Sequence, residues 1–229
     1  MPNKEVEEAL INVCKNHYYP NTESVIVPEP YIPYMLEKWN RILVLAESQN
    51  ISLDDDYYKW LNELTSVQLM TRLGWKKWEE PIPPYRDKNK LGWIGVGPWD
   101  GRLGELVKSA LRAIFEETNP NLKVEDIAVS NAVPWTKKRS GSRNERPDKE
   151  MQCKARKFWK EIFEIWNPNI RMIIVLGKNA QEAMNDAEIQ KRYERKWLKL
   201  RHPSRAKKIS YAHQAVEEFK NSRICLIRD

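Results

Sequence analysis

His202-Pro203-Ser204 follows the short strand-like run Trp197-Leu198-Lys199-Leu200-Arg201, which places one of only three histidines directly beyond it. An imidazole at that address can touch a ligand. Two other apolar runs also end in polar residues: Ile42-Leu43-Val44-Leu45 leads into Ala46-Glu47-Ser48-Gln49-Asn50, and Ile127-Ala128-Val129 leads into Ser130-Asn131. In an open parallel α/β sheet, ligands bind outside the carboxyl ends of the strands, so a carboxylate, an amide and an imidazole are expected to converge there.

The elements that must position these groups alternate along the chain. Ile42 to Leu45 and Met172 to Leu176 are short and continuously apolar, the pattern of strands buried on both faces, and Trp197 to Leu200 supplies a fourth strand after that of Ile127 to Val129. Gly101 to Glu117 carries Leu103, Leu106, Val107, Ala110, Leu111 and Ile114 at helical spacing. Asp148 can cap a helix from Lys149 to Trp166, Gly177 opens a helix to about Met184, and Ala212 to Lys220 reads as a late helix. An N-terminal helix to about Lys15 is also expected. Strands and helices in alternation imply right-handed crossovers and a three-layer α/β/α sandwich around a central four-stranded parallel sheet. We read residues 1–229 as one domain, interrupted by an aromatic-rich insertion over about 51–96 that holds Trp60, Trp75, Trp78 and Trp93. Asp55 to Leu73 within it has helical spacing, and Ser130 to Pro147 is a long polar, basic loop.

Composition narrows the setting. Lys and Arg exceed Asp and Glu by 39 to 32, a net charge of +7 that favours polyanionic partners. Lys137, Lys138, Arg139, Arg143 and Arg146 form one basic cluster, and Arg201, Arg205, Lys207 and Lys208 form another around the histidine. Clustered cations of this kind neutralise phosphates, although a solvated basic face has the same composition. No apolar run approaches the length of a membrane span, and Met1 to Glu5 lacks a secretory pattern, so an intracellular location is expected, in the cytoplasm or a nucleus. The three cysteines, Cys14, Cys153 and Cys225, fit reduced thiols better than a disulfide framework. Cys14-Lys15-Asn16-His17 has a metal-like spacing but no second pair, so no metal and no cofactor are assigned. The sequence also lacks a phosphate-binding G-x-x-x-x-G-K-[ST] loop.

Five segments, in order, resemble the uracil-DNA glycosylase superfamily, most closely its branch that carries an iron-sulfur cluster. Leu45-Ala46-Glu47-Ser48-Gln49-Asn50 is similar to the family's strand followed by Gly-Glu-Ala-Pro-Gly. Pro98-Trp99-Asp100-Gly101-Arg102-Leu103-Gly104-Glu105-Leu106 resembles its Pro-Phe-x-Gly-x-x-Gly-x-Leu segment. Ser130-Asn131-Ala132-Val133, with Asn144, Arg146 and Pro147 further on, resembles Thr-Asn-x-Val and its Asn-Arg-x-Pro continuation. Val175-Leu176-Gly177-Lys178-Asn179-Ala180 matches Val-Leu-Gly-x-x-Ala, and His202-Pro203-Ser204 matches the second catalytic motif.

The resemblance implies a monofunctional glycosylase that flips uracil, or another deaminated base such as hypoxanthine, out of DNA and hydrolyses its glycosidic bond, initiating base excision repair. It gives Glu47 and His202 catalytic roles. The water-positioning residue is Glu47, Asn50 or one of Asp54 to Asp56. Trp99 stacks on the base, Asn131 reads it, and Ala46 and Ser48 lie beside it. Ser204, Arg205, Lys207, Arg139 and Arg143 contact DNA, with Arg205 near the gap left by the flipped base. A monomer is expected. Two departures stand out: Ala46 and Asn50 replace glycines of the first motif, and Trp135 stands where a cluster cysteine is expected while Cys153 matches one. The first departure motivates an alternative, a catalytically inactive member that binds DNA or a modified base. The second suggests that packing by Trp135 and the aromatics of the insertion takes over the role of the cluster.

Overall fold

Every residue of Met172–Leu176 (β5) is apolar and buried, which leaves an interior strand as its only place. The computed structural model describes residues 39–47, 102–137, 146–166, 170–203, 207–222 and 224–226, together with 25–27 and scattered positions before residue 18. The aromatic-rich segment and the helical spacing within it lie outside the described residues. So does most of the predicted N-terminal helix.

Strands Ile42–Ala46 (β2), Ala128–Asn131 (β3) and Trp197–Leu200 (β6) join β5 in one sheet of order β3-β2-β5-β6, parallel at every pairing. Side chains alternate across it. Leu43, Leu45, Ile173 and Val175 enter one core with Phe158, Trp159, Ile162 and Phe163, whereas Ile42, Val44, Met172 and Ile174 enter another with Ala110, Leu111, Ile114, Tyr211 and Phe219. Helices therefore cover both faces. Arg102–Thr118 (α1) and Lys208–Asn221 (α5) pack on one side, while Lys149–Trp166 (α2), Gly177–Ala183 (α3) and Ala187–Arg192 (α4) pack on the other. This is the expected three-layer α/β/α fold.

Local chemistry sets the element ends. Asp148 accepts from the Met151 backbone N–H at 2.9 Å and caps α2 as anticipated. The second strand begins at Ala128 instead of Ile127, because the 3-10 turn Val124–Asp126 runs up to that point and buries Ile127 at its end. The last helix begins at Lys208, four residues earlier than the apolar pattern suggests: Tyr211 N–H and Ser210 Oγ both donate to the Lys207 carbonyl. Helix α4 was not foreseen. It is capped by Asp186, which accepts from Glu188 and Ile189 N–H, and it buries only Ile189. A short antiparallel pair, Val25–Val27 (β1) with Thr136–Lys137 (β4), completes the described elements.

Truncating Ile174, fully buried in β5, is expected to cost about 2–5 kcal/mol through lost transfer energy and a cavity. Urea titration of Ile174→Ala measures this, and a loss below about 0.5 kcal/mol, the range of ordinary surface substitutions, would contradict its interior place.

Candidate functional site

Parallel pairing brings four strand ends to one edge. Ala46 is the partner of Asn131, Leu45 of Val175 and Leu176 of Leu200, so the segments that follow lie side by side. The β2–β3 ladder continues past the strands: Ala132 N–H donates to Ala46 O at 2.6 Å and Val133 N–H to Glu47 O at 2.9 Å. Along the sequence, the chain passes from β2 to β3 on one side and then to β5 on the other side of β2. The β2/β5 junction is thus the topological switch point, where an open sheet parts to form a crevice.

Glu47 lies at that junction, half-buried, and its Oε2 accepts from Asn179 Nδ2 at 3.0 Å. Asn179 belongs to the first turn of α3, which leaves β5 immediately beside it. Asn131 at the end of β3 is buried, with 8% of its surface exposed. The loop after it is held by the Trp159 indole, whose Nε1–H donates to Ala132 O at 3.0 Å within the core. Trp135 of the same loop is fully buried and meets Phe158 with ring centroids 6.2 Å apart.

His202 is mounted from several sides. The carbonyl of Arg201 accepts from the Tyr211 hydroxyl at 2.7 Å, and Arg201 N–H donates to Glu218 Oε2 at 3.3 Å. Burial, helped by the charge of Glu218, raises the Tyr211 phenol far above its ordinary pKa, so it stays a donor. Gln181 of α3 donates to Leu200 O at 3.2 Å and to Val175 O at 3.5 Å, tying the ends of β5 and β6 together. Beneath the histidine lies Gly177, at φ +81°. A Cβ built there would stand 2.7 Å from His202 Cβ, a distance no real side chain tolerates. Solvent reaches His202, yet the surrounding atoms desolvate its ring and lower its pKa, while the negative charge of Glu47 pulls in the opposite direction. A neutral imidazole offers one N–H donor and one acceptor.

The structure therefore brings together Ala46, Glu47, Asn131 and His202 from the predicted set, and Lys207 stands exposed ahead of α5. Ser48, Asn50, Asp54 to Asp56, Trp99, Arg139, Arg143, Ser204 and Arg205 lie outside the described residues. Asn179 was overlooked as a site residue, although it falls within a quoted motif. An asparagine in the opening turn of a helix directly after a strand was the available clue, since asparagine is a poor helix former.

The residues do not fit a four-iron cluster, which takes four cysteine ligands. The whole chain has three cysteines; Cys153 is exposed on α2, and Trp135, which the resemblance to the iron-sulfur branch sets against a cysteine, is an apolar core residue. His17 Nε2 is bonded to Glu161 Oε1 at 2.6 Å, with its ring edge-on to Phe158.

An NMR titration of the His202 ring is expected to give a midpoint below the ordinary 6.5, so that the ring is neutral at pH 7. Glu47→Gln should lower it further, because the charge that favours the imidazolium is lost. A midpoint above 6.5 in the wild-type protein would show that Glu47 outweighs desolvation.

No curated protein matches the chain, and among the described residues no helix is long and apolar enough to cross a membrane. The family model of the uracil DNA glycosylase superfamily matches residues 96–221, more than half of the chain, from the segment before α1 to the end of α5. Glu47 precedes the matched stretch and reaches the site through the pairing of β2 with β3 and β5. A four-stranded parallel sheet with its polar residues on one edge, joined to that match, makes this chain a member of the uracil DNA glycosylase superfamily.

Proposed function

We propose that this protein is a monofunctional DNA glycosylase that excises uracil, or another deaminated base such as hypoxanthine, by hydrolysis of the N-glycosidic bond. The observation that carries this reading is that Glu47, Asn131 and His202 follow or end strands at one edge of the sheet, with Glu47 held from the β5 side by Asn179 and His202 packed on Gly177. A base in duplex DNA is unreachable within the stack, so it must be extruded into a pocket that reads it by stacking and hydrogen bonds. Trp99 is the residue assigned to stack, and its large ring would also cover a purine. The Asn131 carboxamide offers one donor and one acceptor, which matches O4 and N3–H of uracil; cytosine presents the opposite pattern.

Cleavage of the bond from C1′ to the base moves its electron pair onto the base and leaves positive charge on the sugar. With uracil, His202 as a neutral donor hydrogen-bonds O2 of the departing anion, and the Glu47 carboxylate faces the oxocarbenium-like sugar. Water then adds to C1′ from the side of Glu47, which orients it and takes up its proton. Asn50 and Asp54 to Asp56 remain the other candidates for holding that water.

DNA would lie along the basic side of this edge. Lys207 and Lys208 are exposed at the start of α5 and follow Ser204 and Arg205 closely in sequence, while Arg139 and Arg143 belong to a second basic cluster of the sequence. Ile209 follows the two lysines and is 73% exposed, the single large hydrophobic residue so exposed among the described residues. An exposed apolar side chain directly after two cations suits insertion between base steps.

Oligonucleotides containing uracil, hypoxanthine or xanthine, single-stranded and in mismatches, test the activity through alkali-labile abasic sites. Excision of at least one base is expected, with single-turnover rates lowered about 10²–10³-fold by His202→Ala or Glu47→Gln and DNA binding retained. Asn131→Ala should slow uracil removal and weaken discrimination against cytosine. Binding without scission on every substrate would instead identify a catalytically inactive member, a reading favoured by Ala46 in place of a glycine. Ile209→Ala is expected to slow excision from duplexes while sparing single strands, and equal loss on both would remove it from the wedge role.

A further inference from the structure

We infer that the turn from β5 into α3 is a shared mount for Glu47 and His202, in which Asn179 and Gly177 act as positioning residues. The inference rests on the reading above, in which those two side chains carry the reaction. Among the described residues, Asn179 is the one side chain hydrogen-bonded to the Glu47 carboxylate, at 3.0 Å across the switch point. Two positions earlier, Gly177 provides the empty volume against which His202 packs: its φ of +81° and the 2.7 Å clash of an added Cβ exclude any other residue without movement of the histidine. The clashing atom is His202 Cβ, the root of the side chain, so the whole ring must shift. Gln181, one turn further along α3, binds carbonyls at the ends of both β5 and β6 and fixes the turn to the sheet.

The chemical type of the donor is informative. A carboxylate that must face a developing sugar cation loses part of its effect if a cation is already bound to it. Asn179 orients Glu47 through a neutral amide and leaves its negative charge intact. Lys178, the adjacent residue, could have supplied a cation; its ammonium is instead turned to solvent, with 87% of the side chain exposed, and pairs with Glu182 at 3.6 Å. The same turn thus keeps a lysine away from the site and presents an amide to it.

The test is a set of mutant cycles on the full chain, read by single-turnover excision, DNA affinity and His202 titration. Asn179→Ala is expected to slow excision by about 10²-fold, the penalty of a misplaced reacting group, with DNA affinity unchanged. In the background of Glu47→Gln it should have no further effect, because Asn179 acts through Glu47. Asn179→Asp, nearly isosteric, sets a second carboxylate against Glu47 and should move the acidic limb of the rate profile to higher pH, a change that loss of packing alone does not produce. Gly177→Ala should slow excision and be non-additive with His202→Ala. Additive cycles, or wild-type rates in Asn179→Ala, would overturn the inference.

If the wild-type protein excises none of the bases, the functional reading fails, and the titration then decides the mount separately. The His202 midpoint in Asn179→Ala should fall towards its value in Glu47→Gln, since the carboxylate is no longer held near the ring. A midpoint identical to the wild type would overturn the positioning role of Asn179. The cycle also stands if Asn179→Ala misfolds, because Asn179→Asp preserves shape.

Discussion

Val44 lies opposite Ile174 in the two interior strands, and that register governs the site more directly than any other contact. Slipping β2 by one residue against β5 would move it by about 3.3 Å, enough to part Glu47 from Asn179, and would turn every side chain of β2 to the opposite core. Leu43 and Leu45 fill space beside Phe158, Trp159 and Phe163, whereas Ile42 and Val44 meet Ala110, Leu111 and Ile114. The two cores are filled by different residues, aromatic on one face and mostly aliphatic where β2 meets the other, so their packing resists the slip. Hydrophobic burial far from the edge therefore holds two polar groups at hydrogen-bonding distance.

The edge itself is built from contrasting environments. Asn131 is enclosed by a loop anchored on an aromatic wall, where Trp159 donates to Ala132 O and Trp135 packs against Phe158. Trp135 is fully buried, so side-chain volume helps to fix the loop after β3. On the same side of the crevice, the Glu47 carboxylate accepts from the neutral amide of Asn179, which reaches it from the β5 side, and burial lowers the pKa of the His202 ring against the attraction of Glu47. Desolvation and attraction act on the imidazole in opposite directions, and desolvation prevails. A site with one anion and one neutral donor matches a reaction that builds positive charge on a sugar and negative charge on a base.

Much of the fold was legible because burial leaves a local signature. Met172–Leu176 and Trp197–Leu200 were read with their observed limits, and Asp148 marked the start of α2, since each depends on residues adjacent in sequence. Helix α4 was missed because a single buried residue, Ile189, leaves no apolar stripe to detect. The pairing of Val25–Val27 with Thr136–Lys137 joins very short segments far apart in sequence, and no local pattern announces it. Among the site residues, Glu47, Asn131 and His202 stood out because each follows an apolar run. Asn179 did not, since its partner is 132 residues away.

By itself the sequence determined where the four strands of the parallel sheet run, to within a residue or two, which groups end them, and which family the order of motifs resembles. Those properties reside in neighbouring residues and in their order along the chain. Only the tertiary structure decided that β2 lies between β3 and β5, that an amide and not a lysine meets Glu47, and that His202 rests on a glycine. Strand order and close approach are matters of non-local packing, in which two cores of different composition select one register and leave room at Gly177 for a hydrogen atom alone.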